Sequence, residues 1–558
     1  MKTFKFILRR INCFLCDLAL IYALFYLLLF VRPVGFQVSA YYFWTVILYF
    51  GLTYWLFRAS FMQILFRIEI KKRHLNHFLF KIFCIAIIPL VLSVFYYDVF
   101  LILYVFILTL LSIIILPISK KSLWQLCSGS QVELQKDSYK KKSPIIISLF
   151  VLIALIVFPL FQSNFRLDIA DFVQNNKNAA FPISMPEKAC YLKNIRQYKE
   201  DPFNYVMKLF DNYDIVILSE RMHHEYTQWE FFSEIILNDT FAAKVQNVFT
   251  EVGNTEIQEQ LDSYMNTHFS TEEDLQRATA AIAREGAVWP LWNNTNIYDF
   301  ILNLYRFNQS RDSANKINLF FTDYADWNKV NNPARWDSLY RSSARDSIMA
   351  YNVINQYENL TTKKCLLITN TRHAWKYGMN EASYIFKKYP EKTAVVWINC
   401  TAQLLYPAMN GTLDEAAHKI QDSIWAIDFK NCPLGNTHFD LFPSHILNNL
   451  TYKDFFAGMI YCKHPNDWIL SENYPFILDN FKYTFLERSA LVGEKYLEKR
   501  KESIEKGYYD KIDRRQYPLF ALTNLLFIFI HSIILLFLFL NLFIKLLSLL
   551  FKKNIIDS

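Results

Sequence analysis

The chain has 558 residues, of which 53% are hydrophobic and 17% aromatic, with a formal net charge of +8. It is too apolar for an ordinary soluble protein, and the excess lies near the two ends. The charge is modest, and no basic patch with interleaved aromatics occurs, so nucleic-acid binding is excluded as the main function.

Taken in order, the apolar runs at 13–31, 40–57, 82–99, 101–118 and 144–162 predict five bilayer crossings, and the run at 518–550 predicts a sixth. Lys2, Lys5, Arg9 and Arg10 precede the first run, and no small-residue cleavage site follows it. The connection at 58–81 carries Arg58, Arg67, Lys71, Lys72 and Arg73. The connection at 119–143 carries Lys120, Lys121, Lys140, Lys141 and Lys142. The positive-inside rule then puts the N-terminus and both basic connections in the cytoplasm. The expected architecture is an α-helical membrane bundle (1–163), an α/β domain on the outer face (164–485), a charged helical stalk (486–516) and a last span (517–551). That describes a multi-pass protein of a bacterial inner membrane, with the lipid bilayer as a partner.

Arg9 and Arg10 followed by Asp17, and the stretch Lys120-Lys-Ser-Leu-Trp-Gln-Leu-Cys-Ser-Gly-Ser130, resemble the opening and closing motifs of the RDD membrane family over about 7–135. Gln125 stands where that family has an acidic residue. An Asp in an apolar run is costly, so Asp17 is expected to face protein or water and not lipid.

The middle of the chain alternates strand and helix patterns. Short apolar runs at 215–218, 245–250, 317–321, 365–369, 394–398, 424–427 and 458–461 predict strands. Amphipathic stretches around 228–238, 272–284, 296–308, 335–357 and 380–388 predict helices between most of them. This order predicts a mostly parallel β-sheet flanked by helices. In such sheets ligands bind beyond the carboxyl ends of strands, and four of the predicted strands end in reactive chemistry. The first gives Glu220, His223 and His224. The second gives Glu251, the third Asp323, and the fourth Asn370, Arg372 and His373.

These residues carry a second resemblance. Leu218-Ser-Glu-Arg-Met-His223 is similar to the Gly-Glu-x-x-His motif of the erythromycin esterase-like family of α/β hydrolytic proteins, with Ser219 replacing glycine. Phe249-Thr-Glu251 resembles that family's second acidic strand. Trp289-Pro-Leu-Trp292 and the following Arg306 and Asn308 resemble its Trp-rich helix. Phe320-Phe-Thr-Asp323 resembles a strand ending in Gly-x-Asp, with Thr322 replacing glycine. Arg345, Asp346, Met349 and Asn352 match an Arg-Asp-x-x-Met-x-x-Asn helix, and 370–373 stands where the family has His-Asn-x-His. The likeness runs in order over roughly 205–470.

The resemblance implies water attack on an ester-like bond, with His223 as general base, a role suited to imidazole. Glu220 and Glu251 would orient His223 or the water. His373 would protonate the leaving group or bind the oxyanion, and Arg345 would supply positive charge. His224, Trp289, Asp323, Asn370 and Arg372 complete the expected substrate-binding set. No cofactor is expected. A divalent ion on Glu220, His223, Glu251 and His373 is the alternative, although neither His-Glu-x-x-His nor paired Cys-x-x-Cys occurs. A membrane-tethered binding module that kept the fold and lost the chemistry is the rival from another class. Of nine cysteines five lie in the middle domain, which predicts at most two disulfides.

Overall fold

The computed structural model describes residues 38–134 and 183–506, apart from 67, 73, 96–98, 120, 289–293, 341–343, 401–407, 442–449 and 477–481, together with part of 7–28. Within 183–506 a seven-stranded sheet forms from β3 (Ile215–Glu220), β4 (Asn247–Asn254), β5 (Asn318–Asp323), β6 (Cys365–Asn370), β7 (Thr393–Ile398), β8 (Ile424–Asp428) and β9 (Gly458–Cys462). Its order is β5-β4-β6-β3-β7-β9-β8, parallel except for the edge strand β8, which runs antiparallel to β9. The predicted α/β architecture with a mostly parallel sheet is present.

Alternation along each strand builds two cores. Val216, Leu218, Val248, Leu366, Ile368, Val396 and Ile398 pack on one face. Ile215, Ile217, Phe249, Cys365, Leu367, Val395 and Trp397 pack on the other. Strands apolar on both faces are what a sheet covered by helices on both sides requires. The helices Tyr226–Ile236 and Thr295–Gln309 contribute Trp229, Phe232, Phe300 and Leu304 to the first core. The helices Ala344–Asn359 and Glu381–Lys388 contribute Val353 and Ile385 to the second. The helix Lys482–Val492 begins ahead of the expected stalk boundary and is tied to the domain. Arg488 on it pairs with Glu285 at 3.0 Å and lies over the Trp327 ring.

The membrane expectation is corrected. Among the described residues no helix is long and apolar enough to cross a membrane. The α-helical membrane bundle, the multi-pass inner-membrane placement and the outer-face position of the α/β domain are therefore not retained. The runs at 144–162 and 518–550 lie outside the described residues. Apolar run length alone does not separate a span from a helix held in protein. In the run at 82–99 the helix that starts at His74 continues through a π-helical segment at Phe83–Ile87 into Ile88–Phe95. A two-stranded antiparallel pair of β1 (Ile68–Lys72) and β2 (Gln131–Leu134) joins the two basic connections. Asp17 is buried and accepts hydrogen bonds from Tyr49 Oη (2.5 Å) and Ser60 Oγ (2.8 Å), with Lys81 Nζ at 3.1 Å. Arg10 donates to Gln125, the residue in the acidic position of the RDD-like motif. On the helix Val38–Phe57, Trp44, Leu48, Leu52 and Trp55 are exposed.

Arg221 ties three strand ends together. Its guanidinium pairs with Glu225 (2.6 Å), donates to Asn399 O and Oδ1 and to Cys462 O, and lies over Trp468. Both members of this pair are fully enclosed, with side chains 1% and 0% exposed. Removing one charge from such a pair strands the other, so Arg221→Met should lower unfolding stability in urea by about 3–5 kcal/mol. An unchanged midpoint would show that the strand ends are held without it.

Candidate functional site

Parallel pairing places the carboxyl ends of β3, β4, β5 and β6 at one edge of the sheet. Glu220 on β3 registers with Asn370 on β6, and Thr250 on β4 with Ile368 on β6. Beyond Thr250 the β4–β5 ladder shifts register, so Thr250 faces Phe321 while Asn254 faces Asp323. Irregularities of this kind re-aim side chains, and Glu251 lies inside this one. Gly253 is required in the same stretch, because a Cβ there would stand 1.9 Å from the Phe321 ring.

Glu251 is the centre of the cluster. Its Oε2 accepts the Asn370 N–H (2.7 Å) and the Thr369 hydroxyl (3.1 Å). Its Oε1 accepts from Arg345 Nη2 at 2.9 Å, and the Nε2 atoms of His223 and His373 stand 3.6 and 3.5 Å from that same oxygen. Each ring is anchored from behind by another carboxylate. His223 Nδ1 lies 2.5 Å from Glu220 Oε2, and His373 Nδ1 lies 2.6 Å from Asp346 Oδ1. A carboxylate on Nδ1 holds the proton there, so the neutral ring presents a lone pair at Nε2. Trp229 Nε1 fixes the other Glu220 oxygen at 2.7 Å, and the Glu381 N–H binds Asp346 Oδ1 at 2.9 Å. The His223 turn is also held through its backbone, since Asn294 and Asn296 both donate to His223 O.

Arg345 arrives on the helix Ala344–Asn359, and the spacing of its motif explains the docking. Arg345, Met349 and Asn352 share one helical face. Arg345 pairs with Asp323 (2.7 Å), Met349 is buried, and Asn352 donates to Thr322 O at 2.9 Å.

Charge is strongly redistributed here. Burial opposes the charge on Glu251, but His373, His223, Arg345 and the Asn370 N–H outweigh it and hold this carboxyl well below the usual range. Burial likewise opposes a charged His223, and the Glu220 and Glu251 carboxylates reverse that, raising its pKa above the ordinary 6.5. Burial pushes Asp323 up against the pull of Arg345. Burial, with a smaller contribution from His223, pushes His224 down to about 4.

The structure thus brings Glu220, His223, Glu251, Asp323, Arg345 and His373 into one cluster. Asn370 lies beside it, holding Arg221 O and Arg372. His224 follows His223 in the same turn, and its carbonyl accepts from Ser471 N. Trp289 lies outside the described residues. Asp346, Thr369 and Trp229 were not among the expected site residues. Asp346 was legible as the partner of Arg345 in the helix motif, whereas Trp229 and Thr369 read as core. Ser219 points away from His223, accepting the Ile398 N–H at 2.9 Å, so the missing glycine does not crowd the ring.

Glu220, His223 and Glu251 offer ligand atoms within 4.8 Å of one another, the donor set for a divalent ion. The Arg345 guanidinium, 2.9 Å from Glu251 Oε1 and 3.4 Å from His373 Nε2, already places a cation on that oxygen. The fit to a metal is therefore poor on the His373 side and better on the Glu220 side.

No family model matches the sequence, and no curated protein matches it. Among solved structures, the chain is similar to a Bacillus cereus protein determined in a structural-genomics programme, with 9% identity and a TM-score of 0.35 over 49% of this chain and 96% of that one. A succinoglycan biosynthesis protein gives 10% identity and 0.35 over 50% and 97%. The type III effector HopBA1 gives 11% and 0.25 over 36% and 84%. Scores this low assign no shared fold.

The two adjacent histidines should separate in stability measurements. A raised folded pKa means that His223 contributes stability fully present below its unfolded pKa, near 6.5, and lost as pH rises through the folded value. A lowered pKa means that His224 makes acidification destabilising between about 6.5 and 4. His223→Asn should flatten the dependence of Tm on pH above 6.5, and His224→Asn should flatten it below. Identical slopes for both variants would contradict the assignment. Ser219→Gly removes the added side-chain hydrogen bond to the Ile398 N–H and loosens a buried strand, and should cost about 1–2 kcal/mol in denaturant titration.

Proposed function

We propose that this cluster hydrolyses an ester-type bond by water attack, in keeping with the erythromycin esterase-like resemblance. The observation that supports this reading best is the convergence of two imidazoles, each backed by its own carboxylate, on the single oxygen Glu251 Oε1. Hydrolysis needs a base for the water and an acid for the leaving group, and two such rings supply both. In this scheme His223 Nε2 takes a proton as the water oxygen bonds to the carbonyl carbon. The carbonyl electron pair moves onto oxygen, where the Arg345 guanidinium offsets the developing charge. Collapse re-forms the carbonyl and breaks the carbon–oxygen bond, and His373, which enters the cycle as the imidazolium with a proton on both nitrogens, gives the Nε2 proton to the departing alkoxide. Glu251 keeps the two rings and the guanidinium in register. Glu220 and Asp346 fix the tautomers.

The raised His223 pKa moves the appearance of its base form to higher pH than for a free imidazole. It follows that kcat/KM should rise with pH through a midpoint above 6.5. A flat profile from pH 6 to 9 on a hydrolysed ester would remove His223 from the base role. His223→Ala should lower kcat on the order of 10²–10⁴-fold with the fold retained, and His224→Ala far less. The metal-dependent reading draws support from the Glu220–His223–Glu251 donor set. Under that reading activity falls with a chelator and returns with a divalent ion; under the proposed one a chelator leaves the rate unchanged.

A further inference from the structure

The groups around Glu251 are layered. Glu220, Glu251 and Asp323 side chains are 0–1% exposed, whereas His223, Arg345 and His373 keep 14%, 11% and 10%. Asp346 is 19% exposed, but its Oδ1 is covered by the His373 ring and the Glu381 N–H. Nitrogen donors therefore form the solvent-side layer and carboxylates the floor.

Arg372 extends the donor layer. It is exposed, in the turn between Asn370 and His373. It lies between Asn370, whose N–H binds Glu251, and His373, whose ring faces the same carboxylate, so it sits at the edge of the cluster. Asn370 Oδ1 accepts both the Arg372 N–H and its Nε–H, each at 3.2 Å. Asn370 is itself fixed by its amide bond to Arg221 O at 3.2 Å. One edge of the guanidinium is thus anchored. Among the described residues the Nη1/Nη2 edge meets no partner, and that edge matches the two oxygens of a carboxylate or phosphate. Arg345 is unsuited to this task, because Asp323, Glu251 and His373 already engage it.

We propose that the site takes an anionic ester, carrying a carboxylate or phosphate close to the bond that breaks, and that the outward fork of Arg372 grips that anion. The inference rests on the reading of the cluster as an ester-hydrolysing centre. It adds the substrate class and the residue that selects it.

Two esters of the same leaving group test it on the full chain: neutral 4-nitrophenyl butyrate and anionic 4-nitrophenyl hydrogen succinate. The succinyl ester should show a KM lower on the order of 10–100-fold, the range of a charge-assisted bidentate contact. Arg372→Gln should abolish that advantage, bringing the KM of the succinyl ester up to that of the butyrate, and Arg372→Lys should keep part of it. Equal KM values for the two esters, or an advantage that survives in Arg372→Gln, overturns the proposal. Calorimetric titration with succinamate and with inorganic phosphate separates this inference from the ester reading. If neither ester is turned over but one anion binds in an Arg372-dependent manner, anion recognition stands and the hydrolytic reading falls. If neither anion binds and no ester shows the preference, anion recognition falls. The tighter of the two anions identifies the carboxylate or the phosphate as the recognised group.

Discussion

A single buried carboxylate organises this molecule's polar chemistry. Glu251 has almost no contact with solvent, yet it stays charged because one backbone N–H, one hydroxyl and a guanidinium converge on it, with two imidazoles close by. An ion in a low-dielectric interior is costly unless each lone pair is matched. The matching groups come from β6 and the helix Ala344–Asn359, so satisfying Glu251 requires the sheet edge and that helix to be assembled correctly. Its charge adds to that of Glu220 in raising the His223 pKa and holds Arg345 in place. Fold and site are coupled through this one residue.

Much of the α/β domain was legible. All seven runs read as strands are strands, and the five helical stretches appear within a few residues of the expected positions, with 335–357 divided into Pro333–Tyr340 and Ala344–Asn359. Strands apolar on both faces and helices with one apolar stripe leave little ambiguity. The antiparallel direction of β8 was not legible, because periodicity carries no information about direction. Convergence of Glu220, Glu251, Asp323 and His373 followed from their shared position at strand ends. The partners that orient them were harder to see. Trp229 lies on an apolar helix face and Thr369 inside a strand, and only geometry reveals that their single polar hydrogens point at Glu220 and Glu251.

The N-terminal part shows where sequence reasoning overreached. Apolar length was taken as crossing length, and the finding among the described residues is otherwise. One element of that reading was sounder: Asp17 was expected to face protein, and Tyr49, Ser60 and Lys81 surround it. Gln125 in an acidic position is equally intelligible, since an amide oxygen accepts from Arg10 and also from the Ser122 N–H at 3.0 Å.

The sheet order has a consequence for how this domain can diverge. The strands that carry Glu220, Glu251, Asp323 and Asn370 form one contiguous half, β5-β4-β6-β3, while β7, β9 and β8 form the other. The second half reaches the first through the Arg221 contacts with Asn399 and Cys462 and through the β3–β7 ladder. Substitutions on the β7-β9-β8 side can therefore accumulate with mainly structural effects, provided that junction holds. On the opposite side a change of one residue disturbs the Glu251 cluster and the assembly of the sheet edge together. Within a single sheet, one flank is free to drift while the other is constrained twice over.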